Sequence, residues 1–386
     1  MLRFALLLLA AIVAGELVQR WLALPRIVGY VAAGFALGPN AAALIGQDSL
    51  IQLRPLLDAA IGLVLFELGQ RIDLGWLKRN PWLLASSVAE AALSFAAIYL
   101  VLWLLDVRPL LAATMAAIGV STSPAVVLAV GRDLRAQGQV TERLMMLTAL
   151  NSVYAFVAVS MLFAWLQAEY HGDWRTILLH PLYLIFGSLL LAVVAAALTL
   201  MLLERLGKRE DAQFVAILTL VLGTVALAAA LKLPVVLSLL AFGALTRSLD
   251  GRRRFISMSF GKTGLLFVAI LFALSGASVT ASLLPSALFV AVVLIAARFA
   301  GKAIGVFMFS TAAALSLRKA SLLSIGLLPM SSLAVVMVHD TAKRFPEVGS
   351  ELAVVMLTAV AILELFGPLA TRFAIRRAGE AGEGGR

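Results

Sequence analysis

The residues of this chain that could do chemistry lie inside its most apolar stretches. Ser121-Thr122-Ser123-Pro124 interrupts one hydrophobic span, Asn151-Ser152 sits in the middle of the next, and Leu328-Pro329-Met330-Ser331-Ser332 interrupts a third. Broken helices paired with polar side chains near the midplane are how many secondary transporters build their binding sites. Neither Asn151 nor Ser152 can carry a proton at ordinary pH. Four ionisable residues share the same depth: Glu90, Arg298, Lys302 and Glu364. A charge at the centre of a bilayer costs about 2.5–3.5 kcal/mol on insertion scales, so each needs a partner or a task. Arg298 is a permanent charge and suits a fixed structural or electrostatic role. Lys302 lies four residues on, along the same helical face, and suits snorkelling toward an interface. Glu90 is expected to pair with Arg298 or to bind a proton, with a structural ion pair the plainer role. Glu364 is a further electrostatic or proton candidate, and Glu67 and Asp58 are expected to lie nearer a membrane surface. His171, His180 and His339 are scattered without metal-ligand spacing. The sequence contains no cysteine and no nucleophile–base arrangement or phosphate loop. No metal, cofactor or enzymatic activity is therefore expected.

The elements that position these residues must be membrane spans. Of 386 residues, 62% are hydrophobic and 13% charged, against roughly 25% charged in an ordinary soluble domain. Mean hydropathy is +1.02. With windows of about 20 residues, thirteen candidate spans emerge, at about 2–19, 27–46, 55–70, 81–105, 109–131, 144–167, 176–203, 212–231, 234–249, 263–282, 284–310, 320–338 and 348–371. Met1 to Val18 could pass for a signal peptide, but the topology works better if it remains as the first helix. The reading is an all-α integral membrane protein of about 13 transmembrane helices. A single transmembrane domain covers 1–377, followed by a short cytoplasmic tail, 378–386.

The net charge of +10 might suggest nucleic acid, but no nucleic-acid partner is expected, because the basic residues alternate with the spans. Arg71, Lys78 and Arg79, then Arg132, Arg135 and Arg143, then Arg205, Lys208 and Arg209 follow odd-numbered spans, as do Arg252, Arg253, Arg254, Arg372, Arg376 and Arg377. The opposite loops hold few, such as Arg54, Arg108, Arg175 and Lys232. The excess of basic residues on the cytoplasmic side places the N-terminus outside and the C-terminus in the cytoplasm of a cell (inner) membrane. The Gly-rich end shows no nucleotide-binding unit attached.

The fifth and twelfth spans echo one another. Each is interrupted at its centre, and each has a neighbour with polar residues at depth, Asn151 and Ser152 beside one, Arg298 and Lys302 beside the other. Two interrupted helices in corresponding parts of two halves point to inverted repeats with interrupted, crossing helices and a midplane transport site. The site residues expected from this pattern are Ser121, Thr122, Ser123, Asn151, Ser152, Ser331 and Ser332.

Several motifs then carry a resemblance. Pro25-Arg26-Ile27-Val28-Gly29-Tyr30 with Gly34 and Gly38-Pro39-Asn40, Phe66-Glu67-Leu68-Gly69, Ser121 to Val127, Arg298 to Lys302, and Glu364 to Pro368 resemble, in order, the monovalent cation:proton antiporter family, its Kef/NapA-like branch. The resemblance runs from about residue 10 to 375. It implies exchange of sodium or potassium for protons by alternating access, a homodimer, and a mobile core of helices at about 55–167 and 263–375, the remainder serving dimerisation. It also implies that the position of Ser152 ordinarily holds an aspartate. Without that acid, an uncoupled or anion-preferring transporter on the same fold is the alternative, or a non-transporting membrane sensor or partner subunit.

Overall fold

The computed structural model describes residues 2–382 except 23, 40, 73, 172–173, 207–209, 251–260, 279–283, 331 and 345. Ser331 and the side chains of Ser332, His171, His180 and His339 lie outside the described residues. Sixteen helices are described: α1 Leu2–Leu22, α2 Arg26–Leu37, α3 Gln47–Arg71, α4 Leu74–Arg79, α5 Pro81–Leu104, α6 Pro109–Gly119, α7 Pro124–Asp133, α8 Gln139–His171, α9 Trp174–Leu206, α10 Glu210–Ala230, α11 Val235–Leu249, α12 Gly261–Ala277, α13 Leu284–Met308, α14 Leu317–Gly326, α15 Ser332–Arg344 and α16 Pro346–Arg377. They fall on the expected spans, with α4 additional and each interrupted span giving two helices.

Eight segments, among the described residues, are long and apolar enough to cross a membrane. The distribution of side chains agrees with that environment. Phe289 and Phe186 are 69% and 66% exposed, while Arg298 and Glu90 are fully buried. Apolar surface outward and charge inward is the arrangement lipid demands.

Two boundaries differ from expectation for local reasons. The second span was expected to reach residue 46, but α2 stops at Leu37. Gly38 precedes Pro39 and is extended (φ −74°, ψ 178°), because a residue before proline is pushed out of the helical region. The third begins earlier than expected, at Gln47, and carries Pro55 inside α3.

Glycines set the closest helix approaches. A Cβ on Gly301 would fall 2.5 Å from the Leu93 carbonyl oxygen, and one on Gly305 would fall 2.3 Å from the Glu90 Cα. Only the absence of side chains lets α13 lie this close to α5, and that approach brings Lys302 against Glu90. Gly34 performs the same service between α2 and α12, where its Cβ would meet the Ala273 carbonyl.

Candidate functional site

The first interruption is built by its own sequence. α6 ends at Gly119, Val120 caps it, and Ser121 to Ser123 run without helix. Pro124 then opens α7 at its first turn, where a missing N–H costs nothing. Ser123 is the N-cap, its Oγ accepting from the Val126 amide at 3.3 Å. The second interruption separates α14 from α15, and the two breaks touch. The Ser123 amide donates to the Pro329 carbonyl at 2.9 Å. The paired breaks expected from sequence therefore meet in space.

Arg298 of α13 holds this junction. Its Nε donates to Gly119 O at 2.7 Å, Nη1 to Leu328 O at 2.8 Å and Nη2 to Ser121 O at 2.7 Å. Longer contacts of 3.4 Å reach Thr122 Oγ1 and Pro329 O. These acceptors lie at and just beyond the C-termini of α6 and α14, where helices leave carbonyls unpaired and the dipole is negative. The guanidinium satisfies both ends at once.

One turn along, Lys302 Nζ donates to Val120 O at 3.0 Å and forms an ion pair with Glu90 Oε2 at 2.9 Å. Two expectations are corrected here. Glu90 pairs with Lys302 rather than Arg298, and Lys302 is 1% exposed, so it does not snorkel. The close α5–α13 approach puts a carboxylate beside the ammonium, removing any reason for it to seek water. Glu67 is 5% exposed and ion-paired with Arg132 of α7, near the C-terminal ends of α3 and α7. Ser87 Oγ donates to Tyr154 Oη at 3.2 Å and ties α5 to α8.

Asn151 and Ser152 of α8 face the first break. Asn151 Nδ2 donates to Thr122 Oγ1 at 3.1 Å. Ser152 Oγ donates to Thr148 O at 2.9 Å, with a second contact to Thr122 O at 3.4 Å. Asn151 Oδ1 and Thr148 Oγ1 are buried and have no hydrogen-bond partner among the described residues. Thr148 was not singled out from sequence, although its spacing of three and four residues from Asn151 and Ser152 puts it on their face. Ser121 Oγ turns back to Ile118 O at 2.8 Å. Thr122, Asn151, Ser152 and Arg298 thus form one connected group, Lys302 and Glu90 adjoin it, and Glu364 lies apart. Glu364 accepts from Ser275 Oγ of α12, and its Oε2 is unpartnered among the described residues.

Interrupted helices meeting inside a bundle with apolar outer walls, polar oxygens at the junction and a buried fixed cation have the form of a membrane transporter. The sequence profile described as sodium/hydrogen exchanger, transmembrane, matches residues 5–376. The chain belongs to that sodium/hydrogen exchanger family, whose members work by secondary-active cation:proton exchange. No curated protein sequence matches it. Among solved structures it is similar to the sodium proton antiporter MjNhaP1 from Methanocaldococcus jannaschii at pH 8. The TM-score is 0.68 at 16% identity, covering 97% of this chain and 94% of that one. An electron-microscopy structure of the same antiporter gives 0.66 at 18% identity, covering 96% and 95%. At these identities the likeness is one of fold.

Proposed function

We propose that the chain exchanges sodium or potassium for protons across the cell (inner) membrane by alternating access, with the cation seated where the two breaks meet. Ser121, Thr122, Ser123, Asn151 and Ser152 line this place and Thr148 joins them; Ser331 and Ser332 are assigned to the same site from the sequence pattern of the second break alone. The observation that carries the reading is the kind of atom left unpaired. Asn151 Oδ1 and Thr148 Oγ1 are buried oxygens without hydrogen-bond partners among the described residues, and an unpartnered buried polar group is costly until something binds it. A partially dehydrated monovalent cation is the matching ligand. An anion is disfavoured, because the guanidinium of Arg298 is already spent on carbonyl oxygens.

The moving unit in this proposal is α5 to α8 with α13 to α16. α3 and α12, first assigned to the core, pack chiefly on α2, α10 and α11 and fit better with the scaffold. Thirteen crossings with the N-terminus outside and the C-terminus cytoplasmic, related by inverted repeats, and a homodimer built on the scaffold complete the proposal. Purified protein in liposomes with an internal pH dye, challenged with sodium or potassium gradients, tests it. Cation-dependent proton movement that falls sharply in Asn151→Ala is expected. Proton flux indifferent to both cations would sink the exchange reading.

A further inference from the structure

Resting on that exchange reading, we propose that Glu364 carries the exchanged proton, with Ser275 as its hydrogen-bonding partner, supplying the acid that Asn151 and Ser152 lack. A group that is neutral with a proton and negatively charged without one can trade that proton for a cation. The oxygens at the junction of the breaks are amides, hydroxyls and carbonyls, and none of them is such a group at ordinary pH.

Glu90 is acidic, but its charge is committed. It is paired with Lys302, whose ammonium also holds Val120 O in the first break. Glu67 is likewise committed to Arg132. All three carboxylates are buried and keep one oxygen without a hydrogen-bond partner among the described residues. Glu364 differs in that no cation pairs with it among the described residues, and Ser275 donates to its Oε1. A lone carboxylate in such surroundings is costly to keep ionised, and either a bound proton or an arriving cation relieves that cost.

The groups on neighbouring elements do not change this. On α13, Arg298 and Lys302 are engaged with the breaks and Glu90. On α7 and α2, Asp133 and Arg26 gather with Glu16 and with Arg372, two turns further along α16, while Arg132 is taken by Glu67 and Tyr30 sits beside Arg26. On α14, Arg318 bonds Arg377 O and Lys319 bonds Gln139. α6 carries no ionisable residue, and Glu351 of α16 pairs with Arg108. The side chains of Lys262 on α12 and of His339, Asp340, Lys343 and Arg344 on α15 lie outside the described residues.

Position supports the assignment. Gly367, three residues on and on the same face of α16, lies against the second break, where a Cβ would sit 2.9 Å from the Pro329 Cα. Leu271, one turn before Ser275, lines a small apolar crevice with Pro124, Ala125 and Leu333. Both partners therefore stand a turn from the breaks. When the carboxyl O–H bond breaks, the proton leaves to water on the open side, and the entering monovalent cation balances the carboxylate left behind. The return step reverses both.

Infrared difference spectroscopy of the full chain in lipid, titrated with acid, alkali and sodium or potassium chloride, tests this beside the pH-dye flux assay. The wild type should show the C=O stretch of a protonated carboxylic acid, lost on alkalinisation and on adding the cation. Glu364→Gln should lose that signal and at least about tenfold in proton flux while keeping its helical circular dichroism. Glu364→Asp should restore both with a displaced pH profile. A band that survives in Glu364→Gln, or flux in that variant within about twofold of wild type, overturns the proposal. A wild type that moves no protons refutes the exchange reading alone, and the infrared band then decides on Glu364. Should Glu364→Gln fail to fold, an unshifted band in Glu364→Asp overturns the assignment.

Discussion

Replacing Arg298 by methionine keeps an unbranched side chain in α13 and removes the guanidinium. Three bonds of 2.7, 2.8 and 2.7 Å to Gly119 O, Leu328 O and Ser121 O are lost. Hydrogen bonds from charged donors contribute about 1.5–3 kcal/mol each, so the gross loss is about 4–9 kcal/mol. Against this stands relief of the several kcal/mol needed to bury a charge, leaving about 3–5 kcal/mol net. For a chain of this size, with an unfolding entropy of about 2.1 cal/mol/K per residue, that corresponds to a fall in melting temperature of roughly 4–6 °C. Arg298→Lys should recover only part of it, because a compact ammonium cannot span the ends of α6 and α14 together. Thermal melts of detergent-purified protein, followed by circular dichroism, measure both. A methionine variant melting within about 2 °C of wild type and transporting normally would refute the view that Arg298 clamps the two breaks.

The Glu90–Lys302 pair makes a separate prediction. Glu90→Gln leaves an uncompensated ammonium and should cost about 3–5 kcal/mol, whereas Glu90→Leu with Lys302→Met should melt closer to wild type. Strictly additive losses in the double-mutant cycle would show the two are uncoupled. At the chain's end, Glu380 accepts from the Val140 and Thr141 amides at 2.8 Å each and from Thr141 Oγ1 at 2.9 Å, at the N-terminus of α8. Glu380→Ala should cost about 1–2 kcal/mol there and speed hydrogen exchange at those two amides by about tenfold. Unchanged protection would remove Glu380 as the cap of that helix.

The breaks were legible because proline and clustered hydroxyls stand out within apolar sequence. Arg298, Lys302 and Glu90 were legible as charges at depth, but their pairing was not. Which cation meets Glu90 depends on how closely α5 and α13 approach, and that is set by Gly301 and Gly305, whose role has no hydropathy signature. Thr122, Asn151 and Ser152, singled out by their polarity in apolar sequence, lie together, yet the unpartnered oxygen of Thr148 emerges only when the helix faces are assembled. Glu380 was hidden for the opposite reason. A short, charged, Gly-rich tail looks solvated, and nothing local says that its carboxylate caps a helix 240 residues earlier.

A proline break inside a membrane bundle is tenable only if the freed backbone groups find partners, and here that need constrains the transport chemistry. The negative ends of α6 and α14 converge on Arg298, which consumes their carbonyls and is in turn neutralised by them. Lys302 consumes one more carbonyl and is neutralised by Glu90. With both cations compensated, the junction does not present bare positive charge to an entering ion. Among the described residues its unpartnered atoms include the oxygens of Asn151 and Thr148, the feature on which the proposed cation site rests even though no acid stands at position 152. In the proposal made above, coupling to protons resides in a carboxyl outside that balanced set. In Glu364 the same bundle keeps such a group one turn from the second break.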